Sequence, residues 1–172
     1  DPAGSFLLLQ ERGILRAIHP AFAVPHNLRE RFERARTTPP AWEMEPPNAI
    51  ELGWCLLLAD VPLDDLHDLC ERLLFSKTLT QQIVDTARLV QSDVSEATPP
   101  SQIVTHLDGI SDLSLYAAQI IHENSILRQR IQQYALAWRS VRPKNDGRAL
   151  QARGLKPGPC YGVILARLRA AR

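Results

Sequence analysis

A short run of glycines, prolines and basic residues near the end of the chain carries the clearest chemical signal. In residues 153–159, Gly154 suits the left-handed backbone that ends a helix, and Pro159 suits the first turn of the next helix. Free N–H groups at the start of that second helix, with Lys156 beside them, would hold a phosphate. The sequence predicts a helix, a cationic turn and a second helix, with a plain helix–helix connector as the alternative.

The charges of the chain are segregated along its length. Residues 123–172 contain eleven basic and two acidic side chains, a net charge of +9, whereas residues 1–122 contain nine basic and seventeen acidic ones, a net charge of −8. A basic segment without compensating carboxylates indicates a phosphate-rich partner, because a merely solvated surface usually mixes both signs. The residues predicted to contact this partner are Arg128, Arg139, Arg142, Lys144, Arg148, Arg153, Lys156 and Gly158.

No group of side chains in the sequence predicts catalysis. Asp64 and Asp65 are adjacent, so on a helix they point in different directions and cannot share two metal ions. The His67-Asp68 pair lies in a charged helical stretch, and a solvated helix face explains it better than a metal site. The other histidines are scattered, and nothing nominates a base for a serine or cysteine nucleophile. We expect no catalytic residue, no metal and no cofactor in this chain.

The tryptophans and cysteines are assigned from their surroundings in the sequence. Trp54 and Trp138 lie on apolar stripes and are predicted core residues, whereas Trp42 lies in a proline-rich loop and is the one candidate for stacking on a base. The three cysteines are odd in number, far apart and without CxxC spacing. They favour buried thiols in a reducing compartment over a disulfide framework or a zinc site.

Nothing in the sequence indicates a membrane protein. The longest apolar stretch, residues 50–61, is too short and too interrupted to cross a bilayer, and no signal-peptide pattern precedes it. The chain begins at Asp1 without a methionine, which is typical of a piece of a longer polypeptide. We expect a cytoplasmic location and no membrane partner.

Helical periodicity recurs along the chain and no run alternates with a period of two, so we predict an all-α fold. Gly13 is expected to interrupt the first helical stretch, and a short helix is predicted over 147–153. Three residues are predicted to cap helices through their side chains: Asn27, Ser76 and Ser111.

The clearest helix is predicted over residues 124–141. Its core-facing stripe consists of Leu127, Ile131, Tyr134, Trp138 and Val141. Arg128, Arg139 and Arg142 share an angular position beside that stripe on a continuous helix. We therefore expect them to form an outward-facing basic ridge.

Taken together, these segments resemble the C-terminal part of the bacterial tRNA nucleotidyltransferases, the CCA-adding enzymes and related poly(A) polymerases. The most specific similarity is Gly-Leu-Lys-Pro-Gly-Pro at 154–159 followed by the apolar residues of 161–165. Residues 7–20 resemble the end of the family's neck helices, 71–77 resemble a junction in the body, and 100–103 resemble a short proline-serine helix. The resemblance is colinear across nearly the whole chain.

The resemblance implies an elongated all-α array of neck, body and tail helices that clamp tRNA. In these terms residues 1–36 are the end of the neck, 37–47 a proline-rich loop, 48–122 the helical body and 123–172 the basic tail. The family also implies a separate N-terminal catalytic head that holds the catalytic aspartates, magnesium and nucleotide; no motif of that head is present here. Ala59 stands where relatives with a phosphohydrolase module have a metal-binding histidine, so that metal site is expected to be lost.

The expected function is to bind tRNA or another structured RNA and to position its 3′ end for the head. Whether the parent enzyme adds CCA, part of CCA or poly(A) is decided by the head. Two alternatives stay open on the sequence. One is a protein-interaction or homo-oligomerisation module, and the other is a DNA-binding element like a helix-hairpin-helix.

Overall fold

The fold is all-α, as predicted. The computed structural model describes residues 1–95, 97–122, 125–141, 147–152, 154, 158 and 160–170. Within these ranges there is no strand, and the helices are α1 Pro2–Glu11, α2 Ile14–Ile18, α3 Leu28–Thr37, α4 Ala49–Leu58, α5 Leu63–Arg72, α6 Lys77–Val90, α7 Pro100–Leu107, α8 Asp112–Ile121, α9 Ser125–Leu136, α10 Gly147–Ala152 and α11 Cys160–Ala170. Across the described part of the chain, no helix is long and apolar enough to cross a membrane.

The core lies where α4, α6 and α8 pack against one another. Helix α8 is its centre, since every residue from Leu113 to Ile121 is buried. The helix can be surrounded because its sequence mixes large apolar residues with the small Ser114, Ala117 and Ala118, which let neighbouring helices approach. The hydroxyl group of Ser114 donates a hydrogen bond to the Gln82 carbonyl oxygen of α6 at 3.1 Å and so joins two core helices.

Two of the three predicted side-chain caps are confirmed. Ser76 Oγ accepts from the N–H of Leu79 at 3.2 Å, and Ser111 Oγ accepts from the N–H of Ser114 at 3.1 Å. The prediction for Asn27 is wrong: it precedes α3, but its side chain makes no capping hydrogen bond. Its backbone lies at φ −100° and ψ 19° instead of the extended region, so the amide oxygen is not directed at the first turn.

A polar cluster joins the end of α2 to α5, in addition to the apolar contacts of α1 and α2 with the core. Gly13 has φ 71° and separates α1 from α2, which confirms the predicted interruption. At the end of α2 the buried His19 places Nε2 3.2 Å from an Asp68 carboxylate oxygen of α5, and its Nδ1 accepts from the N–H of Ala21. Arg72 pairs with the same carboxylate and also donates to the Ile18 carbonyl oxygen. Asp68 therefore links the end of α2 to α5.

The proline-rich loop folds onto the core instead of presenting its tryptophan to solvent. Trp42 is only 6% exposed and belongs to the core cluster. The Tyr116 hydroxyl group of α8 donates to the carbonyl oxygens of Ala35 at 3.1 Å and Thr38 at 2.7 Å, which fixes the start of the loop. Trp42, the one candidate for stacking on a base, is therefore excluded from that role, because its ring is enclosed by the protein.

Candidate nucleic-acid interface

Helix α9 carries the first predicted basic residues, and its buried face agrees with the prediction. Leu127, Ile131 and Tyr134 are buried, and Trp138 is half-buried against the same core. The Tyr134 hydroxyl group donates to an Asp108 carboxylate oxygen at 2.9 Å, so the polar end of this ring is satisfied within the protein. The apolar stripe thus fixes which side of α9 faces away from the core.

The predicted helix over 124–141 is wrong at its end, because α9 stops at Leu136. Ala137 has φ −129° and ψ −55°, and Trp138–Ser140 form a tighter 3-10 turn. Within this turn the Ser140 hydroxyl group donates to the Ala137 carbonyl oxygen at 2.8 Å. A serine side chain that bonds to a nearby backbone carbonyl oxygen stabilises such a turn.

This break overturns the predicted ridge. Arg128 lies on α9 and is half-buried, whereas Arg139 lies beyond the helix in the 3-10 turn, so the two no longer share one helical row. Arg139 is also paired, since its Nη1 lies 2.5 Å from a carboxylate oxygen of Asp112 in α8. Its side chain is 44% exposed. Arg142, the third ridge residue, lies outside the described residues.

The loop between α7 and α8 holds this part of the chain in place. Gly109 has φ 85°, which a glycine adopts without strain, and it reverses the chain between Asp108 and Asp112. Asp108 receives the Tyr134 hydroxyl group, and Asp112 receives Arg139. Two carboxylates of the acidic body therefore position the first basic segment.

A cation–π pair that the sequence did not predict lies at the same end of α9. The guanidinium carbon of Arg130 is 5.8 Å from the centre of the Trp138 ring. On a continuous helix, residues eight apart would differ by about 80° in direction, so only the break after Leu136 brings the two together. Helical periodicity gave no signal for this pair, because it predicted a continuous helix through the point where α9 ends.

The end of the chain contains the two predicted helices, and of the predicted turn between them only Gly154 and Gly158 are described. Helix α10 matches the predicted short helix to within one residue, and α11 begins at Cys160. Gly154 has φ 82°, which confirms the predicted left-handed backbone, and its N–H donates to the Gln151 carbonyl oxygen at 2.9 Å. Nothing lies within 4 Å of where a Cβ would stand on Gly154, so its backbone conformation, not crowding, requires glycine.

The remaining predicted contact residues are only partly described. Arg148 on α10 is exposed, and Gly158 is an exposed residue of the turn. Lys144, Arg153 and Lys156 lie outside the described residues. Helices α9 and α11 both pack against α7, so the basic helices share one neighbour. Arg167 of α11 is a further exposed cation that the sequence-based prediction does not include.

The potentially reactive side chains lie mostly in the core. Burial raises the pKa of the Cys55 thiol to about 12 and also raises the pKa values of Cys70 and Tyr116. The prediction of three buried thiols is wrong for Cys160, which is exposed at the first residue of α11. Among the residues whose placement is described, no three His, Cys, Asp or Glu side chains are grouped to hold a metal ion.

Comparison with known proteins adds no relative: no family model, no curated protein and no solved structure matches this chain.

Proposed function

We propose that this chain is the RNA-binding helical region of an enzyme like the tRNA nucleotidyltransferases. It binds tRNA or a similar structured RNA through its basic tail and positions the 3′ end for nucleotide addition by a separate catalytic head. The chain itself performs no chemistry in this proposal. Magnesium and the nucleotide belong to the head.

The segregation of charge is the observation that carries the proposal. A net charge of +9 within residues 123–172 attracts a polyanion, and the −8 of the preceding residues repels it, so the RNA is oriented toward the tail. Exposed cations of the described tail, Arg139, Arg148 and Arg167, lie on three different elements. Exposed cations spread over three elements suit a partner with many phosphates better than a single small anion.

Recognition of the RNA rests on shape and phosphates. In a paired RNA stem the base edges lie in a deep, narrow groove that side chains do not read, while phosphates remain accessible. Each arginine or lysine that neutralises a phosphate releases a counterion and steepens the dependence of affinity on salt. The cationic turn before α11, with Lys156 and the backbone of Gly158, remains the phosphate site predicted from the sequence.

The proposal is tested by measuring tRNA affinity at several salt concentrations for the wild type and for the Arg139→Ala/Lys156→Ala double variant. We expect the double variant to bind more weakly and the salt slope to fall by roughly 0.7 to 0.9 for each phosphate that is no longer neutralised. Arg29→Ala is the matched control, since Arg29 is an exposed arginine of α3 that is paired with Asp1. It should leave both quantities unchanged.

Four results would contradict the proposal in different ways. An unchanged tRNA affinity and salt slope in the folded double variant would reject this surface as the RNA site. Absence of salt-dependent tRNA binding by the wild type would favour a protein-interaction or oligomerisation module. Duplex DNA that displaces tRNA at equal concentration would favour the DNA-binding alternative. Incorporation of CTP or ATP into tRNA by the purified chain would contradict its non-catalytic role.

A further inference from the structure

The end of α9 contains a ready-made stacking surface. The break after Leu136 turns Trp138 back toward the helix, so that the guanidinium of Arg130 lies over the indole ring with its carbon 5.8 Å from the ring centre. Both residues are half-buried. Both kinds of side chain in this cation–π pair are ones on which nucleic-acid bases stack, since a base packs against an arginine plane as well as against an aromatic ring.

The arginine of this pair is held before any ligand arrives. Its Nη1 donates to the Gln133 side-chain oxygen at 3.3 Å, at the surface of the helix. Trp138 in turn packs against the hydrophobic core, which fixes the ring. Because the Gln133 hydrogen bond and the indole ring already order the guanidinium, a base that stacks on it loses less side-chain entropy than it would on a mobile arginine.

A second solvent-accessible arginine follows this pair in the chain. Arg139 follows Trp138 directly, and its partner Asp112 is 35% exposed while Arg139 itself is 44% exposed. Ion pairs with this much solvent exposure contribute about 1 kcal/mol or less, so a phosphate can compete with Asp112 for the guanidinium. A stacking surface and an exchangeable cation on consecutive residues match the two parts of one nucleotide.

We propose that Arg130 and Trp138 bind an unpaired nucleotide, with its base stacked on the Arg130 guanidinium above the indole ring and its phosphate on Arg139. This inference rests on the proposed RNA-binding function and adds to it a site for single-stranded RNA. A base inside a stem is covered on both faces by its neighbours, so only a nucleotide in a loop, bulge or overhang offers a face to this surface.

The test uses the full chain and three RNA hairpins that share one stem, each closed by a non-nucleotide linker so that the loop offers no base. One hairpin is blunt, one has a short adenosine overhang, and one has the same overhang made of abasic sugar-phosphates. The wild type should bind the adenosine overhang roughly tenfold more tightly than the abasic one, as expected for one stacked base. In Trp138→Leu and Arg130→Lys this ratio should fall toward one, because lysine keeps the charge but lacks the plane. Affinity for the blunt hairpin should stay the same.

Two controls separate stacking from folding and from charge. Trp138→Phe keeps an aromatic ring and should retain most of the preference, whereas Arg29→Lys changes an exposed arginine of α3 and should retain all of it. Tryptophan emission of the wild type should fall on adding the adenosine overhang, and this change should be absent in Trp138→Phe. Circular dichroism establishes that each variant is folded, and Arg130→Lys supplies the result if Trp138→Leu does not fold.

The two levels of the proposal fail differently. If none of the hairpins binds the wild type with a salt-dependent affinity, the RNA-binding function itself is wrong. If the hairpins bind but the ratio between adenosine and abasic overhangs is the same in wild type, Trp138→Leu and Arg130→Lys, the stacking site is wrong and the RNA-binding function stands.

Discussion

Arginines of the first 122 residues and arginines of the tail have different surroundings. In α3, Arg31 is 4% exposed, donates to the Leu56 carbonyl oxygen at 2.9 Å and pairs with Asp60 at 2.7 Å. In the tail, Arg139 is 44% exposed and pairs with Asp112 of α8. Each arginine therefore links two elements, but one guanidinium lies in the protein interior and the other is open to solvent. Burial of the guanidinium makes the difference.

The largest expected effect is on the free energy of unfolding, through the contact between α3 and α4. Arg31→Ala should lower the free energy of unfolding by about 3 kcal/mol, because it leaves the Leu56 carbonyl oxygen without its donor and removes a buried side chain between α3 and α4. Chemical denaturation measures it. Arg29→Ala, which removes an exposed pair on the same helix, should change the free energy by about 0.5 kcal/mol or less. Equal losses in the two variants would remove the distinction between structural and surface arginines.

The buried thiol of the body should make stability fall at alkaline pH. The pKa of Cys55 is raised from 9.0 to about 12, so the unfolded chain loses this proton at lower pH than the folded one. Stability is therefore retained below about pH 9 and declines as the pH rises toward about 12, by roughly 1.4 kcal/mol per pH unit at most. Denaturation at pH 8 and pH 10 should show this decline in the wild type and a smaller one in Cys55→Ala.

Alkylation of the thiols compares a buried cysteine with the exposed cysteine of the tail. Iodoacetamide should react first with Cys160, the exposed thiol of the tail, and reach Cys55 only after denaturation. Mass spectrometry of the partly labelled protein identifies the modified residue. Early labelling of Cys55 in folded protein would contradict its enclosure in the core.

Two glycines of the tail should respond to alanine with opposite signs. Gly154→Ala forces an alanine to φ 82° and should destabilise the turn by about 1 kcal/mol, with weaker tRNA binding as the consequence. Gly162→Ala lies inside α11, where nothing lies within 4 Å of the new Cβ, and should stabilise the helix by roughly 0.5 to 1 kcal/mol. Helix content by circular dichroism and tRNA affinity are the measurements. A Gly154→Ala variant as stable as Gly162→Ala would show that the turn does not require its left-handed residue.

The smallest expected effect concerns Asp112, the carboxylate of α8 that pairs with Arg139 of the tail. Asp112→Asn should raise RNA affinity about threefold, because the Asp112 carboxylate no longer competes with a phosphate for the Arg139 guanidinium. Asp64→Asn removes an equal charge from an exposed position on α5 and controls for the change in net charge. If both variants bind equally well, net charge and not the Asp112–Arg139 pair governs the affinity.

Sequence patterns predicted the elements whose signals are local. Ser76 and Ser111 bond to N–H groups three residues away, and Gly154 answers a conformational requirement of its own backbone, so each could be read without knowledge of the fold. The buried face of α9 followed from helical periodicity for the same reason. These assignments hold because the interacting atoms lie within one turn of chain.

Long-range contacts account for the assignments that failed. Trp42 lies in a loop of prolines and polar residues, and only the docking of that loop against α8 buries it. The end of α9 obeys the apolar repeat, yet Arg139 meets a carboxylate twenty-seven residues earlier in the chain and the helix breaks before it. Contacts between distant segments leave no periodic trace in the sequence.

The sequence by itself determined that this chain is helical, that its positive charge is gathered at one end, and where a glycine must turn the backbone. Tertiary structure alone decided which basic side chains pair with carboxylates and that Arg130 lies over the Trp138 ring. The reason is physical: helix propensity and net charge are sums over neighbouring residues, whereas an ion pair or a stacked ring depends on the positions of side chains that packing brings together.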